Sequence, residues 1–294
     1  MVDDGWWIVN GKWWMVDGGW RMVDDSISPT FGNLKFGRMS SKRVNHSTSY
    51  SIHRWQPKRL KGRYGSALDV RLILISLSSF GRVKAYSIAR FSKTILPVYG
   101  ISRDPDTKNY IMVLDYAEGG NLYRWISEHY NNIDWSHIIN ALLTIIGGLK
   151  EIHQKKLVHH DFHTGNILST SVDLNFGDSL CISDMGLCRE VNNPDETKLY
   201  GVMPYVAPEV LRGGQSYTQA ADVYSFGMIM YVMATGKQPF NNRVHDQNLL
   251  LDICEDGIRP KINEQEAPEC YIDLIKRCWD SNPDNRPNEF GPVL

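Results

Sequence analysis

The chain has 294 residues, 42 % of them apolar and 22 % charged, with a net charge of −1. This length suits one large domain or two lobes sharing a cleft. The composition is that of a soluble globular protein, and no global field points to nucleic acid or to a membrane surface. The five cysteines (181, 188, 254, 270 and 278) are odd in number and scattered. They read as free thiols in a reducing compartment, so a cytoplasmic location is expected. Without a C-x-x-C pair they suggest no zinc site. The N-terminus carries Asp3 and Asp4 and lacks the apolar run of a signal peptide. No window reaches the ~18 apolar residues that a membrane span needs.

Residues 1–25 repeat a phrase, "MVDDGWW", "MVDGGW", "MVDD", and hold five of the nine tryptophans. The codons of Met, Val, Asp, Gly and Trp can all be spelled with A, T and G. The segment therefore reads as translated simple-sequence DNA, low in complexity and disordered or poorly packed. An aromatic docking peptide is the sharper alternative. Residues 26–93 form a basic segment. Extended to residue 103, it holds fifteen Lys/Arg and one acid, Asp69, whereas residues 104–294 carry 27 acids against 15 bases. No glutamate precedes Glu118. Such asymmetry marks segments with different histories or partners. The cations lack a helical face or an aromatic platform, so a nucleic-acid or membrane arm is not favoured over a solvated segment.

From residue 94 the text reads as a folded domain. "KNYIMVLDYAEGG" predicts a strand at 110–114, then a linker from Glu118 to Gly120 and a helix start. "DWSHIINALLTIIGGLKEIHQ" has apolar residues at 138, 139, 142, 143, 145, 146, 149 and 152. That spacing predicts an amphipathic helix with Asp134 as its N-cap. "NILST" and "LCISDMG" predict short strands. "AADVYSFGMIMYVMATG" is apolar all round and predicts a helix through the middle of a lobe. "APECYIDLIKRCWD" predicts a further amphipathic helix. The layout is α+β with a mainly helical C-terminal part.

Between the two short strands lies "LVHHDFHTGNIL", residues 157–168. His159 and His163 are four apart, as in zinc-binding helices, but Gly165 and the strand-like ends argue against a helix, and no H-E-x-x-H glutamate is present. A polar turn with one buried histidine would leave the downstream spacing unexplained. Phosphoryl transfer would explain it. That reaction needs a carboxylate to orient the attacking hydroxyl and oxygen ligands for Mg²⁺. Asp161 and Asn166 are separated by four residues, and Asp184 follows in "DMG" after a predicted strand. "APE" comes at 207–209, then "DVYSFG" and "W…RP".

In this order the motifs resemble those of the protein kinase superfamily, nearest to its tyrosine-kinase-like (TKL) group of serine/threonine or dual-specificity type. The resemblance runs from about Thr94 to Pro287 and implies a two-lobe kinase-like fold, with the kinase domain at 94–294. It implies Asp161 as catalytic base, and Asn166 and Asp184 as Mg²⁺ ligands for bound ATP. Leu114 would back the adenine pocket. The carbonyl of Asp115 and the amide of Ala117 would bond adenine, and Asn121 would meet the ribose. Glu209 would pair with Arg286, Asp222 would bind the catalytic-loop backbone, and Trp279 would anchor the core. Protein substrates and regulatory protein partners are expected, and nucleic acid and membrane are not.

The chain departs from the pattern at several places. His160 replaces the arginine of H-R-D, whose forked hydrogen bonds gather an activation-loop phosphate. Phosphorylation of Thr197 or Tyr200 is therefore expected to matter less than in kinases that keep it. His163 stands where serine/threonine kinases carry lysine, and Val202 where a threonine is expected. Together they leave Ser/Thr against Tyr specificity open. Met185 replaces the D-F-G phenylalanine. Residues 26–93 show no complete Gly-rich loop, no recognisable strand lysine and no partner glutamate, so the small lobe reads as degenerate or missing. Two functional readings follow: an ATP-dependent protein kinase, or an inactive pseudokinase or truncated product acting as a binding module. A variant of the second treats residues 1–93 as out-of-frame or intron translation.

Overall fold

The structure, a computed structural model, describes residues 12–16, 19–23, 58–61, 67–75, 92–103, 110–171, 176–185, 188–190, 201–213 and 217–288. The described residues within 1–80 and 98–116 form one compact unit, and those within 81–97 and 117–294 another.

In the first unit, β1 (Lys12–Val16) and β2 (Gly19–Val23) make an antiparallel hairpin. It falls in the segment whose composition reads as disordered or poorly packed. A separate antiparallel sheet contains β3 (Lys58–Lys61), β4 (Ala67–Ile75), β5 (Val98–Arg103) and β6 (Tyr110–Asp115), in the spatial order β3-β4-β6-β5. β6 is the strand expected at 110–114. Met112 and Leu114 are buried while Val113 and Asp115 are half-buried, the two-residue alternation of a strand with one covered face. The register sets Val70 opposite Asp115, Arg71 opposite Leu114 and Ile73 opposite Met112. Most of residues 26–93 lie outside the described residues.

The second unit opens with Thr94–Leu96 running beside β10 (Leu180–Ile182), tied by Ile182 N–H to the Thr94 carbonyl at 2.8 Å and Leu96 N–H to the Ile182 carbonyl at 2.9 Å. β7 (Gly120–Asn121), β9 (Ile167–Ser169) and β10 form a small antiparallel sheet, with β9 in the middle. β8 (Leu157–Val158) pairs with β11 (Arg189–Glu190).

The helices are α1 (Leu122–His129), α2 (Trp135–Gln154), α3 (Pro208–Leu211), α4 (Gln219–Thr235), α5 (Gln247–Cys254) and α6 (Glu269–Cys278). Asp134 caps α2 as expected, accepting the His137 N–H at 3.0 Å. That backbone bond, with help from the Ser136 and His137 side chains, holds the carboxyl down at about 2. The α2 stripe is narrower than its apolar residues suggest. Ile138, Leu142, Ile145, Leu149 and Ile152 are buried, but Leu143 is 49 % exposed. Gly148 lets α2 approach β10, since a Cβ there would sit 2.8 Å from Ile182 Cδ1. Every residue of α4 from Ala221 to Thr235 is buried, as its all-round apolar text requires. Gly236, at φ 68°, ends α4 in the left-handed conformation.

Glu209 of α3 and Arg286 form a fully formed fork. Nη1–H and Nη2–H each donate to one carboxylate oxygen at 2.7 Å, and both residues are buried. Arg286 also donates to the carbonyls of Ala220 and Asp280 at 2.9 Å. This joins the start of α3 to the chain after α6. Trp279 is buried beside it in sequence. Glu209→Ala or Arg286→Ala strands one buried charge and is expected to cost about 3–5 kcal/mol in denaturant melts. The joint change Glu209→Leu with Arg286→Met removes both charges and is expected to restore part of that loss.

Candidate active site

The segment His159–Gly165 links β8 to β9, and its shape is imposed from α4. Asp222 lies in the first turn of α4 with no exposed surface. Its carboxylate accepts the His159 N–H at 2.8 Å, the His160 N–H at 3.3 Å and His153 Nε2 of α2 at 2.8 Å. Burial alone would raise the Asp222 carboxyl, but hydrogen bonds from His153 and the loop amide and the nearby imidazoles lower it below the usual range. His160 can therefore hold φ 70°, a left-handed conformation that costs about 1–3 kcal/mol for a residue with a side chain.

The next links are equally directional. His159 Nε2 lies 3.0 Å from the Ser183 carbonyl, which can only accept, so Nε2 carries the hydrogen. Its Nδ1 is then the acceptor for the Asp161 N–H at 3.3 Å. Ser183 gives its own N–H and hydroxyl to the Asn166 carbonyl at 2.8 and 2.9 Å. Asp184 follows directly, at φ 54°. Asn166 and Asp184, eighteen residues apart in the chain, are thus brought together by Ser183. Asn166 Nδ2 donates to the Asp161 carbonyl at 2.8 Å and to Asp161 Oδ2 at 3.1 Å.

Asp161 Oδ1 is buried and has no hydrogen-bond partner. His163 Nε2 stands 3.4 Å from it, too long for a good bond. Burial pushes the Asp161 carboxyl up, but His163, His159 and Asn166 outweigh it and hold it below the usual carboxylate range. The result is an ionised carboxylate with one oxygen steadied and the other ready to accept. His163 Nδ1 accepts the Gly165 N–H at 3.0 Å, so a neutral ring carries its hydrogen on Nε2, toward Asp161.

The remaining expected residues have local roles. Leu114 is buried in β6. Asp115 Oδ1 accepts the Tyr116 N–H at 2.9 Å. Burial, with Asp115 beside it, pushes the Tyr99 phenol up to about 12. The Ala117 carbonyl accepts the Gly120 N–H at 3.2 Å, leaving its own amide for another partner. Asn121 Oδ1 caps α1 through the Arg124 N–H at 2.9 Å, so only its Nδ2 is left to donate. Met185 is buried against Cys188, sulfur to sulfur 3.5 Å.

Residues 83–290, more than two thirds of the chain, match the family described as protein kinase domain. The chain belongs to the protein kinase family. A probable serine/threonine-protein kinase of Dictyostelium discoideum is 35 % identical over 177 residues, 60 % of this chain and 12 % of the relative. Two others from that organism carry the same description. The one named roco11 is 30 % identical over 198 residues, 66 % of this chain and 13 % of its own. The one named qkgA is 29 % identical over 200 residues, 66 % of this chain and 12 % of its own. The chain thus spans about an eighth of the length of these curated relatives. The fold is accordingly the two-lobe α+β kinase type, with a mainly helical C-lobe and a sparse sheet in the N-lobe region.

Within this kinase, His160 does not leave an open socket where the family arginine would sit. It is buried and stacks on Tyr217, centroids 4.2 Å apart and planes 16° from parallel. Thr197 and Tyr200 lie outside the described residues. Sequence reasoning missed His153, Ser183 and Thr164, whose partners are distant in the chain. It also missed β4 as a strand beside β6. The text "ALDVRLILI", alternating little and strongly apolar, was the available signal. β4 contains no lysine, and its cation is Arg71, in register with Leu114.

The pH dependence of Asp222 has a definite sign. Its folded-state value is below the unfolded value of about 3.9, so its stabilisation is fully present above about pH 4 and is lost as pH falls through the folded value. Asp222→Asn is expected to cost about 2–3 kcal/mol. The gap between wild type and variant in denaturant midpoint should stay constant from about pH 5 to 8 and narrow below about pH 4.

Proposed function

We propose that the chain is an ATP-dependent protein kinase of the tyrosine-kinase-like group, acting on Ser or Thr of protein substrates, with its kinase domain at residues 94–294. The observation that carries this reading is Asp161, an ionised carboxylate with Oδ2 held by Asn166 and Oδ1 buried without a hydrogen bond. In transfer, the acceptor hydroxyl oxygen bonds to the γ-phosphorus, the bond to the β,γ-bridging oxygen breaks, and ADP leaves. Asp161 Oδ1 orients the hydroxyl and takes its proton.

Asn166 and Asp184 suit a magnesium ion. The Asn166 amide nitrogen is engaged with Asp161, which leaves Oδ1 as a hard oxygen ligand, and Ser183 brings Asp184 alongside. Two protein oxygens, completed by phosphate and water, is how Mg²⁺ is commonly held. When bound, Mg²⁺ offsets the charge of the phosphate oxygens. The serine/threonine assignment draws on the descriptions of the relatives. No helix among the described residues is long and apolar enough to cross a membrane, and the described cysteines are free thiols. A cytoplasmic location, protein substrates and regulatory protein partners belong to the same proposal.

A second reading, binding without turnover, is favoured by one observation. β4 lacks a lysine, and no glutamate precedes Glu118 to hold one. Nucleotide-induced thermal shift with Mg²⁺ and label transfer from γ-labelled ATP separate the two. Transfer that falls at least about 10²-fold in Asp161→Asn supports the kinase. Transfer unchanged by that substitution, or nucleotide binding with no transfer, overturns it. The thermal shift should survive Asp161→Asn and fail in Asp184→Asn.

A further inference from the structure

Tyr205 stands where three segments of the larger unit meet. Its carbonyl accepts a 2.7 Å hydrogen bond from Ser225 Oγ of α4. Its hydroxyl lies 2.8 Å from Gln238 Oε1, just beyond the end of α4. Thr164 Oγ1, from the segment that carries Asp161, lies 3.1 Å from the same hydroxyl. The directions follow from the chemistry of the groups. An amide oxygen only accepts, so the one phenolic hydrogen goes to Gln238 and the phenolic oxygen accepts from Thr164. Thr164 is 2 % exposed and Tyr205 4 %, so neither hydroxyl can exchange its partner for water without cost. Burial also raises the Tyr205 phenol far above its ordinary value, which keeps that hydrogen in place. The ring of His163 lies against that of Tyr205, centroids 5.8 Å apart.

The chain leading into Tyr205 passes close over Asp161. Gly201 is left-handed at φ 105°, and a Cβ there would meet Asp161 Oδ1 at 3.5 Å and the His160 carbonyl at 3.4 Å. The next residue, Val202, is 42 % exposed, and its side chain has no polar atom to hold the segment to the loop. A tie between the two must come from elsewhere, and Thr164 to Tyr205 supplies one.

We propose that Thr164, Tyr205 and Gln238 form a positioning relay that sets the spacing between residues 201–206 and Asp161, and so aligns the protein acceptor. None of the three touches the reacting atoms. The relay rests on the kinase reading above and acts through Asp161. Its effect therefore falls on the acceptor and not on ATP.

The test uses the full chain. Thr164→Val removes the donor at constant shape, Thr164→Ser keeps it, and Tyr205→Phe keeps the ring but breaks both bonds. Thr164→Val should lower kcat/KM for a protein acceptor about five- to tenfold with KM for ATP unchanged, and Thr164→Ser should restore it. Thr164→Val with Tyr205→Phe should be no worse than Tyr205→Phe alone. Amide hydrogen exchange needs no turnover. It should quicken over 201–206 in Thr164→Val and Tyr205→Phe, stay as in wild type in Thr164→Ser, and leave α4 protected in all three. A wild-type chain that transfers no phosphate would sink the kinase reading, and exchange alone would then decide the relay. Wild-type exchange in Thr164→Val, equal losses toward ATP and acceptor, or Thr164→Ser as damaging as Thr164→Val would each overturn it.

Discussion

One carboxylate with no access to water organises the larger unit. Asp222 would be costly if left alone, since a buried charge without partners loses its hydration and gains nothing. Here it collects two loop amides and an imidazole from α2. The arrangement works in both directions. The loop's N–H groups stabilise the charge, and the charge holds the loop in a left-handed turn at His160 that it would otherwise avoid. From that turn the order passes outward through His159 to Ser183, from Ser183 to Asn166, and from Asn166 to Asp161. Each bond has a single allowed donor, so the network has one consistent arrangement of hydrogens.

The segment around Glu209 is built on a different principle. Glu209 and Arg286 bind as a fork, and Val206, Leu211, Phe240, Leu249, Ile253 and Cys254 form an apolar cluster beside it. Burial of those side chains contributes more to stability than the ion pair, whose attraction is largely offset by desolvation. The ion pair instead determines which helix ends meet. Arg212 reaches the carbonyl of Cys254 and so joins the end of α3 to that of α5. The backbone from Tyr205 to Arg212 is thereby attached to α4, to α5 and to the chain after α6.

The departures from the family pattern share a character. Where an arginine would offer a fork to phosphate, His160 offers a flat ring that stacks on Tyr217. Where the family pattern has a lysine, His163 brings a ring whose Nε2 faces Asp161 across a long contact. Where the family pattern has a threonine, Val202 brings no hydroxyl, and Thr164 reaches the Tyr205 hydroxyl. Fixed cations and exposed hydroxyls have given way to packed rings and buried hydroxyls. Around Asp161, support comes from packing more than from charge.

Much of the larger unit was legible because its signals are local. Asp134 before an apolar stripe announced α2, and an unbroken apolar run announced the buried α4. The spacing of Asp161, Asn166 and Asp184 carried the expectation of a phosphate-transfer site, because that chemistry needs those oxygens on adjoining loops. Periodicity could not say that Leu143 faces solvent, since a helical stripe reports angle but not what stands opposite. Nor could it find His153 on Asp222, 69 residues apart, or Thr164 on Tyr205, 41 apart. Residue types, helix periods and motif order belong to the chain itself and were set by the sequence alone. The burial of Asp161 Oδ1, the tautomers of His159 and His163, and the register of Arg71 with Leu114 exist only once distant segments share a space, because desolvation and hydrogen-bond direction depend on what surrounds a group.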